Sequence, residues 1–384
     1  MTERMTRKTV RPASDDRDVL IKQGNVEDID ESLEVLPVTY QISSYGVDYP
    51  VDGLVKRLDQ LDIRIPTFDP EFHGDDDIAG FQREFMWTKP QSDRFIESLL
   101  LGFPVPGIFL VKQTTGVLLV LDGHQRLRTL QAYYRGVLRG EEYRLSRTTV
   151  QEPYAGLRYE ELDPEDRRRL DDSIIHATVL RQEDPPGDHS SIYLIFERLN
   201  AGGTNLQAQE IRVALYRGPI LTLLRDLNND PNWRELYGPR PKRLKDHELV
   251  LRFLALYDRH KSYARPMKGF LNEYMGDRKD LTPAHSKKLA KVFAATTAAI
   301  QEGIGRQAFR PRASVNAAAV DSVMFGVAQR LRKGPITRPK SLRPALNRLL
   351  KDSRYLQAIE RATADEESVA QRLSLATKAF AGVA

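Results

Sequence analysis

The stretch VLLVLDGHQRLRTLQAYY, residues 117–134, constrains the fold more than any other. Five apolar residues run straight into Asp-Gly-His-Gln-Arg, and a hydrophobic pattern resumes only afterwards. Asp-Gly between apolar runs is first of all a hairpin signal, which requires the next segment to alternate with period two. Instead Leu127, Leu130 and Tyr134 recur at i, i+3 and i+7, which is helical spacing. The chain therefore reads as strand, tight turn, helix, with Gly123 at the bend and His124, Gln125 and Arg126 at a helix N-terminus. Unbonded amides and the positive end of the helix dipole converge at such a point and favour an anion. Arg126 adds a permanently charged planar fork suited to phosphate oxygens. A plainer alternative stands beside this: Asp122 caps the helix and the other polar residues face water. Spacing alone leaves both open.

Around this motif the chain reads as α+β. An alternating VTYQISSYG predicts a strand, and a helix follows over 51–61 with Val51, Leu54, Val55 and Leu58 on one face. IRIP is a short strand, and TFDPEFHGDDDIAG, rich in acids and turn formers, reads as an exposed loop. Pro90 suits a first helical turn; Phe95, Ile96, Leu99 and Leu100 give that helix its buried stripe, and Gly102 ends it. GIFLVKQ and VLLVL, separated by TTG, form paired strands. DPEDRRRL is a helix with Asp163 as cap, IIHATVL a strand, and SSIYLIFERL a helix burying Ile192, Ile195, Phe196 and Leu199. After AGGT another helix begins, Thr204 and Gln207 having the spacing of a capping box. From about residue 240 the character changes. PRPKRLK is a basic linker, and all that follows has helical spacing, including a stripe of Leu249, Phe253, Leu254 and Tyr257. The organisation expected is a charged tail over 1–35, a mixed α/β domain over 36–238 and an all-helical domain over 239–384.

Composition narrows the function classes. The chain has 384 residues, enough for two cores. Its net charge is +5, but 53 acids sit among 58 bases, so the balance is compatible with a polyanionic partner without demanding one. With no cysteine, disulfides, thiol catalysis and thiolate metal sites are excluded. No apolar run reaches the roughly 20 residues that span a bilayer, and the first residues lack a signal-peptide core, which points to the cytoplasm.

Two further clusters carry chemistry. FQREFMW (81–87) places Gln82, Arg83 and Trp87 just before the Pro90 helix. FERLNAGGTNLQAQEIR (196–212) supplies Arg198, Asn200, Gly202, Gly203 and Thr204 in a glycine turn. Taken singly, the first reads equally well as a packed surface arginine and the second as an ordinary helix connection.

Taken in order with SSYG (43–46), ESLLLGFPVP (97–106) and DGHQRL (122–127), these clusters resemble one family. Residues 39–216 are similar to the N-terminal domain of GmrSD-type restriction proteins, a DUF262 domain with a DGQQR signature, and the helical remainder, with HELVLRFLALY and KGFLNEYM, is similar to its usual continuation. The resemblance implies a fold related to ParB and sulfiredoxin, in which a strand–turn–helix motif holds nucleotide phosphates. It also implies NTP binding or hydrolysis linked to defence against foreign or modified DNA. Residue by residue, Asp122, Gln125 and Arg126 fall on the signature, Gln82 and Arg83 on the first motif, and Asn200, Gly203 and Thr204 on the third. Two departures stand out. His124 replaces the usual glutamine, and its charge can change near neutral pH. Many relatives also carry a histidine-asparagine-histidine nuclease domain, whereas His247, His260 and His285, the histidines beyond residue 240, lie at no metal-binding spacing.

The leading expectation is an NTP-hydrolysing component of a bacterial restriction or DNA-modification (anti-phage) system, using ATP, GTP or CTP with Mg²⁺. Arg83 and Arg126 would neutralise phosphate, with Gln82, Gly123, Asn200, Gly203 and Thr204 completing the nucleotide site. Asp122 would hold Mg²⁺ through water or fix the turn, Gln125 or His124 would position water, and Glu97 would be a base. Partners would be DNA, met directly or through another chain, and a nuclease or modification enzyme; a homo-oligomer is compatible with the sequence. Two other classes remain at this stage. One is a DNA-binding regulatory module with a nucleotide switch, PRPKRLK touching the DNA backbone. The other is a nuclease, for which HGDDD (73–77) is the one dense acidic candidate.

Overall fold

In a computed structural model the protein is described over residues 41–66, 87–113, 115–184, 190–199, 207–216, 218–241 and 243–384. The expected tail (1–35) and the loop and acidic cluster at 67–80 lie outside the described residues.

Strand β1 (Gln41–Pro50) leads directly into helix α1 (Val51–Asp59), whose buried residues are Val51, Leu54, Val55 and Leu58, the predicted face. Each such side chain contributes roughly 1.5–3 kcal/mol on burial. Strand β2 (Ile63–Arg64) follows. Helix α2 (Lys89–Leu100) has Pro90 in its first turn and buries Phe95, Ile96, Leu99 and Leu100; it closes where Gly102 N–H donates to Leu99 O at 3.0 Å. Strands β3 (Ile108–Lys112) and β4 (Leu118–Asp122) form the expected antiparallel pair. The signature segment is strand, turn and helix as predicted, β4 passing through Gly123 into α3 (His124–Arg135). A small hairpin, β5 (Val137–Leu138) and β6 (Glu141–Glu142), precedes α4 (Pro164–Asp171), where Asp163 caps by accepting from Glu165 N–H at 2.9 Å. Strand β7 (Ile174–Asp184) then enters the sheet, and α5 (Ser190–Leu199) follows it.

The five-stranded sheet has the order β1-β7-β3-β4-β2. β1 and β7 are antiparallel along their whole length, β7 and β3 parallel, β3 and β4 antiparallel, β4 and β2 parallel. Alternation along the strands makes two apolar faces. Ile108, Leu110, Val120, Ile175, Ala177 and Val179 pack with α1, α2 and α3. Val111, Leu119, Leu121 and Leu180 belong to the other core, which starts under α5 and runs on through the helical region.

That region comprises α6 (Ala208–Leu215), α7 (Pro219–Asn228), α8 (Pro231–Tyr237), α9 (Lys245–Arg259), α10 (Met267–Asp277), α11 (Pro283–Gly303), α12 (Ala317–Leu331), α13 (Leu342–Leu349), α14 (Ser353–Glu360) and α15 (Glu366–Phe380). The architecture is thus α+β followed by helices. Leu249, Phe253 and Leu254 of the predicted stripe are fully buried, and Tyr257 packs against the same core.

Two local expectations need correction. The capping box at α6 is formed by Gln207 and Glu210, Gln207 N–H donating to Glu210 Oε2 at 2.6 Å, so this helix starts one turn later than Thr204 implied. PRPKRLK is not a solvated linker either. Lys245 is the first residue of α9 and its Nζ lies 2.6 Å from Glu248 Oε1, Arg243 Nη1 lies 3.4 Å from Glu210 Oε2, and Arg240 bonds Asn229. Arg240, Arg243 and Lys245 are thus engaged by neighbouring acids and amides of the same chain.

Candidate functional site

Sequence placed an anion-seeking turn at Gly123, and the backbone there explains the glycine twice over. Gly123 has φ 100°, in the left-handed region, and a Cβ on it would lie 2.4 Å from Ile108 Cγ2. β4 can turn into α3 only because nothing projects toward β3 at this point. No side chain caps α3, and its first turn holds no acid. Gly123, as the residue before the helix, has no side chain with which to cap its first amides.

Asp122 is therefore not a cap. Its Oδ2 takes an ion pair from Arg126 Nη2 at 2.7 Å, and the same Nη2 donates to Gly107 O at 2.9 Å. The guanidinium, 15% exposed, ties the end of β4 and the start of β3 to the first turn of α3. Arg126 Nε is buried beside it with no hydrogen-bond partner. The sequence reading cast Arg126 as a fork aimed at phosphate; in the structure its Nη2 also braces the turn through Asp122 and Gly107.

The other two motifs reach this turn through the residues that flank them. Trp87, the last residue of FQREFMW, donates its N–H to Gln125 Oε1 at 3.2 Å, and its carbonyl accepts from Arg139 Nη2 at 2.6 Å. The indole meets Phe95 edge to face, with centroids 5.6 Å apart, which anchors it on α2. On the opposite side His124 meets Phe196 of α5 edge to face at 6.4 Å, and α5 runs directly into LNAGGTNL. Gln82, Arg83, Asn200, Gly202, Gly203 and Thr204 themselves lie outside the described residues. The turn thus stands between the ends of the first and third motifs.

His124 departs from its expected role. Burial, then the charges of Arg128 and Arg126, outweigh the opposite pull of Asp122 and push its pKa down to about 4. The ring is neutral at pH 7, so it offers hydrogen bonds and packing but no charge switch near neutrality. Glu97 does not join the cluster. Its Oε1 accepts from Gln151 N–H at 2.6 Å, and no hydrogen bond among the described residues links it to the turn. Among the described residues no group of three or more His, Asp or Glu could hold a metal ion.

Sequence reasoning passed over a pair at the same end of the sheet. His176 Nδ1 lies 2.8 Å from Asp48 Oδ1, the two residues facing each other across β7 and β1. The ring rests on Gly46 of the SSYG segment, where a Cβ would come within 2.9 Å of His176 Cε1. Gly107, the residue that receives Arg126, packs on the backbone oxygen of His176, with only 2.7 Å available to a Cβ. The signal was present in IIHATVL, where a lone histidine occupies an outward register position in an apolar strand.

A comparison with family models finds one match. Residues 67–217 fit the model described as GmrSD restriction endonuclease, N-terminal domain. These residues belong to the GmrSD N-terminal domain family. The GmrSD domain so delimited contains all three motif clusters and the strand–turn–helix between them, while β1 and its SSYG segment precede it and α7–α15 follow it. It ties the chain to restriction systems. No curated protein matches the chain. Among the described residues no helix is long and apolar enough to cross a membrane.

Proposed function

We propose that this chain is the nucleotide-binding and NTP-hydrolysing component of a restriction or anti-phage system, acting on DNA together with partner proteins. The observation that carries this reading is the glycine turn from β4 into α3, braced by Arg126 and touched by Trp87 of the first cluster and Phe196 of the third. Phosphate oxygens bind at the start of α3, where the positive end of the helix adds to the attraction. Arg83, Asn200, Gly203 and Thr204, which match the family's motifs, add phosphate-binding groups. Neutral His124 and Gln125 orient water by hydrogen bonding. Catalysis of this kind is positioning and electrostatic stabilisation, with no covalent intermediate.

Mg²⁺ fits this arrangement in a limited way. Arg126 occupies one oxygen of Asp122 and the other has no protein partner, while the side chain is 39% exposed. One carboxylate plus phosphate oxygens is a usual way to hold this ion, which would neutralise phosphate charge. Because Arg240, Arg243 and Lys245 are engaged internally, contact with DNA is assigned to a partner or to another face rather than to PRPKRLK.

The test is turnover of ATP, GTP, CTP and UTP by the full chain, with and without DNA. Hydrolysis of at least one is expected, and Arg126→Ala should abolish it by releasing the turn. Undiminished turnover in that variant would sink the site assignment.

A further inference from the structure

The helical region holds a groove that lies wholly outside the GmrSD match, since every residue lining it lies beyond 217. One face of α15 runs along it. Glu366, Val369, Leu373 and Lys378 line it at helical spacing, which makes it about 18 Å long at the helical rise. Phe325 of α12 and the turn after α9, from His260 to Tyr263, form the other walls. The cavity measures about 590 Å³, a size that takes a small organic molecule.

Its floor is apolar and aromatic. Phe325, Val369 and Leu373 are each at most 4% exposed. His260 meets Phe325 edge to face with centroids 4.7 Å apart, and Tyr263 is anchored by donating its hydroxyl to Ala364 O. Such ring edges and faces suit a planar aromatic body. The rim is cationic. Lys261 and Lys378 are both exposed, and no ion pair among the described residues engages either. Glu366, the acid on the lining, is taken by Arg265, whose N–H donates to Oε1 at 2.9 Å and whose Nε lies 3.9 Å from Oε2. His260 adds no charge at pH 7: burial lowers its pKa, and Lys261 and Arg332 lower it further against an opposing pull from the Leu256 backbone. The two lysines therefore set the sign of what enters.

We propose that this groove binds a small aromatic anion, its ring seated on Phe325, Val369 and Leu373 and its charge met by Lys261 and Lys378. The site is independent of the nucleotide reading of the α3 turn, and either can fail without the other.

The experiment titrates the full chain with two fluorescent probes, anilinonaphthalene sulfonate and phenylnaphthylamine, which has the same rings without the sulfonate. Wild type is expected to bind one sulfonate probe saturably, more tightly than the neutral one, and less tightly as salt is added. Ser374→Trp and Ala370→Trp each fill the groove from an exposed position of α15, and each should weaken both probes about tenfold or more with an unchanged melting temperature. Lys261→Glu with Lys378→Glu should weaken the sulfonate about tenfold and leave the neutral probe within threefold. Absence of saturable binding in wild type overturns the proposal. So does unchanged affinity in both tryptophan variants, which would put the probe elsewhere. Equal affinity for the two probes, unmoved by charge reversal, overturns the anionic class.

Discussion

The chain uses arginine–aspartate pairing twice, in opposite surroundings. At the α3 turn Arg126 meets Asp122 at the surface, the two side chains 15% and 39% exposed. Between α9, α12 and α15, Asp321 is held by two arginines, Arg252 Nη2 at 2.7 Å and Arg372 Nη2 at 2.9 Å, with all three side chains at most 1% exposed. Burial alone would raise the Asp321 pKa, yet the two guanidiniums hold it below the ordinary range. Glu248 behaves alike: Lys245 and Arg212 overcome its burial and hold it at about 2. Around Asp321 and Glu248 the helical region holds its carboxylates in closed, buried networks. The α3 turn leaves a carboxylate half exposed, and the His176 imidazole on the neighbouring strand is open to solvent. Identical residue types thus serve cohesion in one place and leave room for chemistry in the other.

The sharpest way to break this contrast is Asp321→Ala. It removes the carboxylate that two buried guanidiniums share, and a loss of about 3–5 kcal/mol is expected in denaturant unfolding. A loss below about 1 kcal/mol would show the triad to be no more cohesive than a surface pair. Gly123→Ala comes next. Crowding Ile108 costs about 1–3 kcal/mol, and the positive φ adds strain, so stability and nucleotide binding should fall together. Unaltered binding would separate the turn from the site.

Acid titration distinguishes the regions without mutation. The folded-state pKa of His124 lies below its unfolded 6.5, at about 4, so stability tied to the neutral ring is complete above pH 6.5 and is lost as pH falls toward 4. That loss is on the order of 1–3 kcal/mol. His124→Phe should flatten that window. Glu248 acts lower: its contribution is complete above about 4.5 and disappears as pH falls toward 2. The smallest effect belongs to the exposed pair Arg265–Asp365, 64% and 46% exposed, where Arg265→Ala should change stability by less than about 1 kcal/mol.

Much of this was legible in the chain itself, where short-range periodicity decides the outcome. The stripe of α1, the proline start of α2 and the switch from period two to helical spacing at Gly123 all depend on neighbours a few residues apart. Thr204 misled because its spacing matched a box that Gln207 and Glu210 supply three residues on. PRPKRLK misled because composition marks cations but not the acids that reach them. Arg126 lay on the right segment with the wrong target, since Gly107 is brought to it by the pairing of β3 with β4. His176 and Asp48 are separated by 128 positions and meet only through the register of β1 and β7.

By itself the amino-acid order determined the elements, the bend at Gly123 and the motif set that marks a GmrSD domain, because dihedral preference and apolar spacing act locally. Which groups would be spent on one another was decided by the tertiary structure. A hydrogen bond needs its partner within about 3 Å, and only packing of distant strands and helices brings Gly107 to Arg126, Trp87 to Gln125 and Asp48 to His176 at that range.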